Sequence, residues 1–368
     1  MRSPRVDGLL ASARGDADRL WAELTAAGTP LIEPWDDGRT LVTFLWRGQA
    51  NRVRAWWNID VPLTRIPGTD IWHGSEVFPS DLRTIYGLVL DDTEDLPATP
   101  DDHGPAQLDR DNPLTVHFEA DPDDPTDESS WASELRLPGA PRSPWTVPRP
   151  GVPAGRLTKE GQVTVYTPYG ERSEDLLVVL DGYLGQTLMR IPTVLDNLIA
   201  ERRIPPCAAL FVRGREENRL RDLTPGPDVE RLIGDLVTRW KGRHLVAGSS
   251  RGGLVAAHLG LRRPDLFRGV IAQSGSFWWP EPGDGTPGQV IRDAAVHATP
   301  EVGWFLDVGR METMPGPGGA PSQLDSVREM RAALRSRGCE PAYVEYPGGH
   351  DYVNWRYDFP GALIALNA

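Results

Sequence analysis

The sequence predicts two folding patterns in series: a small sandwich of antiparallel strands, then a doubly wound α/β sheet. Three observations predict this. The chain has 368 residues, more than one ordinary core requires. In its first part, short strand-like runs are separated by Gly, Pro and Asp turns with no helices between them. Beyond about Gly155, continuous apolar runs alternate with helix-like segments, as in a parallel sheet covered on both faces.

Taken in order, Leu9 to Ala27 reads as one amphipathic helix, with Leu10, Leu20, Trp21 and Leu24 on its apolar side. From Pro30 the pattern becomes strands. Thr40 to Trp46 and Arg52 to Trp57 alternate or run apolar around Arg47-Gly48 and Asn51, and Ile71 to Phe78 and Thr84 to Leu90 follow. An Ig-like β-sandwich is the expected result. Residues 91–112 are rich in Asp and Pro, and residues 121–156 are acidic and then Pro-rich, so both are expected to be irregular. The linker is placed there. Residues 1–150 then hold the N-terminal helix, the sandwich and the linker, and residues 151–368 hold the α/β domain. Strands are expected at Gln162 to Tyr166, Leu176 to Leu180, Ala208 to Val212, His244 to Ala247, Gly269 to Ala272, Trp304 to Val308 and Ala342 to Tyr346. Helices are expected at Ile191 to Ala200, Val229 to Trp240, Leu254 to Leu261 and Leu324 to Ser336, with a last one closing the chain.

Composition narrows the function. The formal net charge of −13 repels nucleic acid and anionic lipid, so neither is an expected partner. No apolar run approaches the length of a membrane span, and no apolar segment follows Met1 to Asp7. Cys207 and Cys339 are the only cysteines, too few for a disulfide framework or a four-thiolate metal site. A reducing cytoplasm is the expected compartment. Lys159 and Lys241 are the only lysines, so nearly all positive charge is arginine.

The chemistry is concentrated in Leu245 to Leu254, which contains Gly248-x-Ser250-x-Gly252 between a strand-like and a helix-like run. A serine there sits on a sharp strand-to-helix turn with its hydroxyl lifted clear of the backbone. The flanking glycines permit that turn because they carry no Cβ. This is the nucleophile elbow of an α/β-hydrolase, and it points to acyl transfer. The serine needs a base, and the base an orienting carboxylate, in the chain order Ser, Asp/Glu, His. His350 follows the last expected strand, whereas His297 precedes the strand at 304. Glu312 lies in the loop after that strand and is the first choice for the acid. Asp307, inside the strand, is the second, and Asp351 is too close to the base in sequence. The oxyanion hole needs two backbone N–H groups. Arg251 N–H supplies one, and Tyr183 N–H, with Gly182 giving room for the turn, is expected to supply the other.

These segments resemble the ferric-enterobactin (enterochelin) esterase family, of the esterase D-like branch of α/β-hydrolases. The resemblance rests on Leu180-Asp-Gly182, Arg219-Leu-Arg-Asp-Leu223, Gly248-Ser-Ser-Arg-Gly-Gly253, Gln273-Ser-Gly-Ser-Phe-Trp-Trp279, Leu306-Asp-Val-Gly-Arg-Met-Glu312 and Gly348-Gly-His-Asp-Tyr-Val-Asn-Trp-Arg356. Upstream, Pro30-Leu-Ile-Glu-Pro34, Val42 to Gly48, Ile66 to Trp72, Asp111-Asn-Pro113 and Leu137 to Pro141 are similar to the N-terminal domain and linker of its cytoplasmic members. The resemblance implies hydrolysis of a lactone ester in a ferric catecholate trilactone siderophore. It implies no cofactor and no bound metal, because iron arrives on the substrate. The substrate is trianionic, so Arg190, Arg215, Arg219, Arg251 and Arg356 are candidate contacts. Trp278, Trp279 and Trp355 are candidates to stack on catechol rings, the bland alternative being that they pack the cleft wall. The competing readings are a feruloyl-type carboxylesterase of the same branch and a non-catalytic siderophore-binding protein. Oligomeric state is not legible.

Overall fold

The computed structural model describes residues 3–13, 16–91, 106–170, 173–213, 223–242, 244–280, 283 and 285–368. Its contacts divide the chain into one unit of Met1–Phe118 with Ser129–Pro141 and another of Glu119–Glu128 with Arg142–Ala368.

The first unit begins with helices α1 (Pro4–Ala13) and α2 (Ala17–Thr25), where one continuous helix was expected. Asp16 starts the second one: its carboxylate accepts the Arg19 N–H at 3.0 Å. Leu20 and Leu24 pack with Val6, Leu31, Leu45, Ile66 and Ile71. Eight strands follow, β1 (Leu31–Asp36), β2 (Arg39–Arg47), β3 (Val53–Trp57), β4 (Asp60–Arg65), β5 (Ile71–Pro79), β6 (Arg83–Leu90), β7 (Thr115–Phe118) and β8 (Ser130–Arg136). They pair antiparallel throughout, in the order β1-β2-β5-β4-β3-β6-β8-β7. Strand β8 lies in a stretch whose acidic, proline-rich composition predicted irregular structure. It pairs on both sides because its one buried acid, Glu134, is held by Arg136 at 2.8 Å and lies 3.5 Å from Arg83.

The second unit is α/β. In chain order it contains β9 (Arg156–Glu160), β10 (Val163–Thr167), β11 (Leu176–Val179), α3 (Gly182–Thr187), α4 (Ile191–Ala200), β12 (Ala208–Val212) and α5 (Pro227–Val237). Then come β13 (His244–Ser249), α6 (Arg251–Arg262), β14 (Phe267–Gln273), α7 (Gln289–His297), β15 (Gly303–Gly309), α8 (Gln323–Ser336), β16 (Ala342–Tyr346) and α9 (Tyr352–Ala365). The sheet order is β16-β15-β14-β13-β11-β12-β10-β9. Strands β11 to β16 run parallel, and β10 and β9 close the far edge antiparallel.

Helices cover both faces, and the strands read accordingly. Val178, Leu210, Val246, Val270 and Leu306 face a core that includes Ile233, Leu254, Ala294 and Met330 from α5 to α8. Their neighbours Leu177, Ala209, Leu245, Ile271 and Phe305 face the opposite core, with Val194 of α4 and Phe359 of α9. Side chains alternate across a strand, so a strand buried on both faces must be apolar at every position. Parallel strands also bring the segments after β11, β13, β15 and β16 to one edge of the sheet, the edge at which α/β folds bind ligands. Among the described residues, no helix is long and apolar enough to cross a membrane.

Candidate active site

Ser250 lies between β13 and α6 with φ 55° and ψ −120°, a conformation that costs a serine free energy. It is held on both sides: its N–H donates to Gln273 O at 2.8 Å, and its carbonyl accepts the Leu254 N–H at 3.0 Å. Gly248 is obligatory here, because a Cβ on it would lie 2.8 Å from Gly252 Cα and overlap the Gly252 carbonyl. The Ser250 hydroxyl is half-buried, 3.4 Å from Ser276 Oγ.

Glu312 follows β15 and His350 follows β16, and the structure brings them together. Glu312 Oε2 lies 2.6 Å from His350 Nδ1. The carboxylate side chain is 3 % exposed and the imidazole 38 %, so the ring is the accessible member of the pair. The other oxygen, Oε1, accepts the Ser274 hydroxyl at 2.6 Å and the Gly309 N–H at 2.7 Å, with Tyr346 Oη at 3.1 Å. Burial, followed by the nearby charge of Glu312, pushes the Tyr346 phenol well above its ordinary range, which keeps it a neutral O–H donor. Gly309 has to be glycine: a Cβ there would overlap the Gly348 carbonyl.

Asp307, the second choice for the acid, is fully buried and faces elsewhere. It accepts from Gln273 Nε2 at 2.7 Å and from the Ser274 N–H at 3.2 Å. Burial first, and then the charge of Asp358, raises its carboxyl well above the usual carboxylate range. Asp351 caps the last helix, accepting the Asn354 N–H at 3.0 Å.

On the other side of the elbow, Leu180 N–H donates to Ala247 O at 2.9 Å, and Asp181 takes φ 54° to open α3. A Cβ on Gly252 would stand 3.5 Å from both Leu180 Cβ and Asp181 Oδ2, so this loop lies against the start of α6. Gly182 permits the approach: a Cβ on it would be 2.5 Å from Phe211 C and 2.7 Å from Val212 N. Tyr183 and Arg251 both sit in first helical turns, whose N–H groups have no carbonyl four residues back within the helix. Tyr183 is clamped through its ring. Its hydroxyl donates to Ala120 O at 2.9 Å, and the Arg213 guanidinium lies 5.1 Å over the ring while bonding Asp121 and Asp123. A cavity of about 260 Å³ opens beside this loop, lined by Leu180, Asp181, Val212, Arg213, Leu223 and Ile233 among others.

The remaining candidates are dispersed. Arg190 is exposed ahead of α4. Arg356 is half-buried, donates to Leu188 O at 3.4 Å and lies over the Tyr357 ring at 5.3 Å. Trp278 and Trp279 are half-buried; Trp278 Nε1 donates to Gln323 Oε1 at 2.7 Å, and Trp279 packs on the larger core. Trp355 corrects an expectation. It is 2 % exposed, so its faces are not offered to a ligand; its indole N–H donates to Ser274 Oγ and Tyr346 Oη at 3.1 and 3.0 Å. It meets the His350 ring edge-on at 4.9 Å and supports the imidazole from behind. Arg215 and Arg219 lie outside the described residues. Two contributors escaped the sequence reading. Ser274 stood in a quoted motif without a role, and Tyr346 had no local signal at all.

Comparison with known proteins gives a two-part match. A family model described as putative esterase matches residues 229–366, and one described as enterochelin esterase, N-terminal, matches residues 41–146. The chain is 28 % identical to the iron(III) enterobactin esterase of Dickeya dadantii, over 98 % of this chain and 94 % of that one. It is 28 % identical to the iron(III) salmochelin esterase of Escherichia coli O6:H1, over 94 % and 91 %. A crystal structure of the enterobactin esterase from Shigella flexneri, determined in the presence of enterobactin, superimposes with a TM-score of 0.74. It is 23 % identical and covers 94 % of this chain and 97 % of that one.

Proposed function

We propose that this chain, which belongs to the enterochelin esterase family, hydrolyses the ester bonds of ferric catecholate trilactone siderophores. The observation that carries the chemistry is the Glu312–His350 pair at 2.6 Å, at the same sheet edge as a serine held at φ 55°, ψ −120°. The substrate class follows from the names of relatives matched over nearly the whole chain.

In this reading Ser250 Oγ attacks a lactone carbonyl while His350 Nε2 takes its proton. The imidazolium that forms is stabilised by Glu312 through Nδ1–H. The backbone N–H groups of Arg251 and Tyr183 receive the oxyanion, with Gly182 allowing the loop its close approach. Collapse breaks the carbon–oxygen bond of the ester, and the departing alkoxide takes the proton from His350. Water, deprotonated by the same imidazole, then releases the acyl group from Ser250. The opened ring grips iron less tightly. Iron is cargo throughout.

The substrate carries a triple negative charge, and this protein is itself strongly negative at −13. Local arginines have to reverse that field, and Arg190, Arg251 and Arg356, with Arg215 and Arg219, are assigned this duty. Trp278 and Trp279 are the aromatic faces we assign to catechol rings. The same reading makes residues 1–150 an Ig-like β-sandwich and linker with an accessory role, and gives residues 151–368 the chemistry. It also places the protein in the cytoplasm, where two free, buried cysteines persist as thiols.

The test is incubation with a cyclic catecholate trilactone, with and without iron, followed by mass spectrometry, for the parent and Ser250→Ala. Ring opening by the parent alone is expected. Ring opening by Ser250→Ala at the parental rate would overturn the mechanism. An intact ring alongside fast turnover of feruloyl esters would overturn the substrate.

A further inference from the structure

Strand β14 lies between the strand that leads to Ser250 and the strand that leads to Glu312. The run that leaves it, Gln273-Ser-Gly-Ser276, touches both. Gln273 O accepts the Ser250 N–H at 2.8 Å, and Ser276 N–H donates to Ser250 O at 3.0 Å. Ser274, between them, is fully buried with φ 42°, a backbone region that favours glycine. A serine at such a position, where glycine would be unstrained, points to use of its hydroxyl. That hydroxyl donates to Glu312 Oε1 at 2.6 Å. The serine backbone is tied on both sides as well: its N–H donates to Asp307 O at 2.9 Å and its carbonyl accepts from Gln323 Nε2.

We propose that Ser274 is a positioning residue: its hydroxyl pins Glu312 Oε1, so that Oε2 alone is presented to His350 Nδ1. The terminal torsion of a glutamate is broad, so its carboxylate plane is set by what bonds it. Two strong donors meet on Oε1, from Ser274 and from Gly309 N–H at 2.7 Å. Gly309, the last residue of β15, lies only three residues before the glutamate. Ser274 belongs to the neighbouring strand and to the same four residues that hold the nucleophile. Through it the acid is referenced to the nucleophile's support as well as to its own strand. Trp355 Nε1 in turn donates to Ser274 Oγ at 3.1 Å, aiming the serine's single proton away from the indole and toward the carboxylate.

This inference rests on the assignment of Ser250, His350 and Glu312 made above. It is tested by steady-state hydrolysis of p-nitrophenyl acetate and of a cyclic catecholate trilactone by Ser274→Ala and Ser274→Gly. Both variants are expected to lose about tenfold in kcat, equivalent to about 1.4 kcal/mol, with KM within about twofold of the parent. Ser274→Gly relieves the backbone, so its melting temperature is expected to hold or rise while kcat falls. A role confined to stability would make kcat follow the melting temperature. In a Glu312→Ala background, Ser274→Ala is expected to cost nothing further. Parental kcat in Ser274→Gly, or an undiminished Ser274→Ala loss in that background, would overturn the inference. If Ser250→Ala stays active, the catalytic assignment itself fails, whatever Ser274 does.

Discussion

Replacing Glu312 with glutamine changes one atom and is expected to cost about 10⁴ in kcat/KM, or about 5.4 kcal/mol of transition-state stabilisation. The size follows from how the carboxylate is bonded. Ser274 O–H and Gly309 N–H both point at Oε1, at 2.6 and 2.7 Å, so the glutamine carbonyl oxygen has to take that position. The amide nitrogen is then forced into the place of Oε2, 2.6 Å from His350 Nδ1. A donor there makes Nδ1 the acceptor and moves the ring proton to Nε2. That tautomer cannot receive a proton from Ser250, and an imidazolium is no longer supported by charge. The companion variant is Asp307→Asn. Asp307 bonds Gln273 and Ser274 rather than His350, its carboxyl is raised by burial, and an amide keeps its shape, so the loss is expected to stay below about tenfold. Steady-state hydrolysis of one ester by both variants, with circular dichroism as a check on folding, decides the matter. Glu312→Gln within tenfold of the parent, or Asp307→Asn reduced a thousandfold, would refute the reasoning.

Two further outcomes are expected. Gly182→Ala drives a Cβ to 2.5 Å from Phe211 C, a backbone atom that has little room to move. It should lower stability by about 1–3 kcal/mol and reduce kcat more than it raises KM, read by thermal unfolding and steady-state kinetics; parental values for both would count against the role given to this loop. His258 is held below its ordinary value, chiefly by burial, against the opposing pull of Glu230 at 3.0 Å; Asp293 pulls with Glu230, and Arg262 acts with burial. Its folded pKa is depressed, so below about pH 6.5 the unfolded chain binds more protons and stability falls with acidification. The melting temperature of His258→Asn should therefore decline less between pH 7 and 5 than that of the parent, and parallel curves would contradict this.

Legibility in the sequence tracked the kind of constraint involved. Where a position is set by excluded volume, the residue type announces it. Gly248 tolerates no Cβ against Gly252, so the elbow is readable from five letters. Chain order did comparable work for Glu312 and His350, because parallel strands deliver successive loops to one edge. What depends on packing was not readable. Trp355 stands in a motif with the same letters whether its faces are offered to a ligand or enclosed, and it packs from the last helix into the core. Ser274 showed no sign of its positive φ, which depends on a strand exit and leaves no composition behind. Strand β8 was hidden by its acidic setting: buried Glu134 is met by Arg136 of its own strand and by Arg83, which is distant in sequence. The break between α1 and α2 does carry a local signal: Asp16 stands just ahead of the apolar Leu20 and Leu24, as a helix cap does.

The ten residues Glu119–Glu128 group with Arg142–Ala368 although they are flanked in the chain by Phe118 and Ser129 of the other unit. Ala120 holds the Tyr183 hydroxyl, and Asp121 and Asp123 hold Arg213. Inheritance of this hydrolase as a linear cassette is therefore incomplete. A recombination event, or an engineer, exchanging only Arg142–Ala368 would leave behind the Ala120 carbonyl that holds Tyr183 and the carboxylates that hold Arg213 over its ring. The segment that has to be moved to keep these contacts therefore begins at Glu119, ahead of β8.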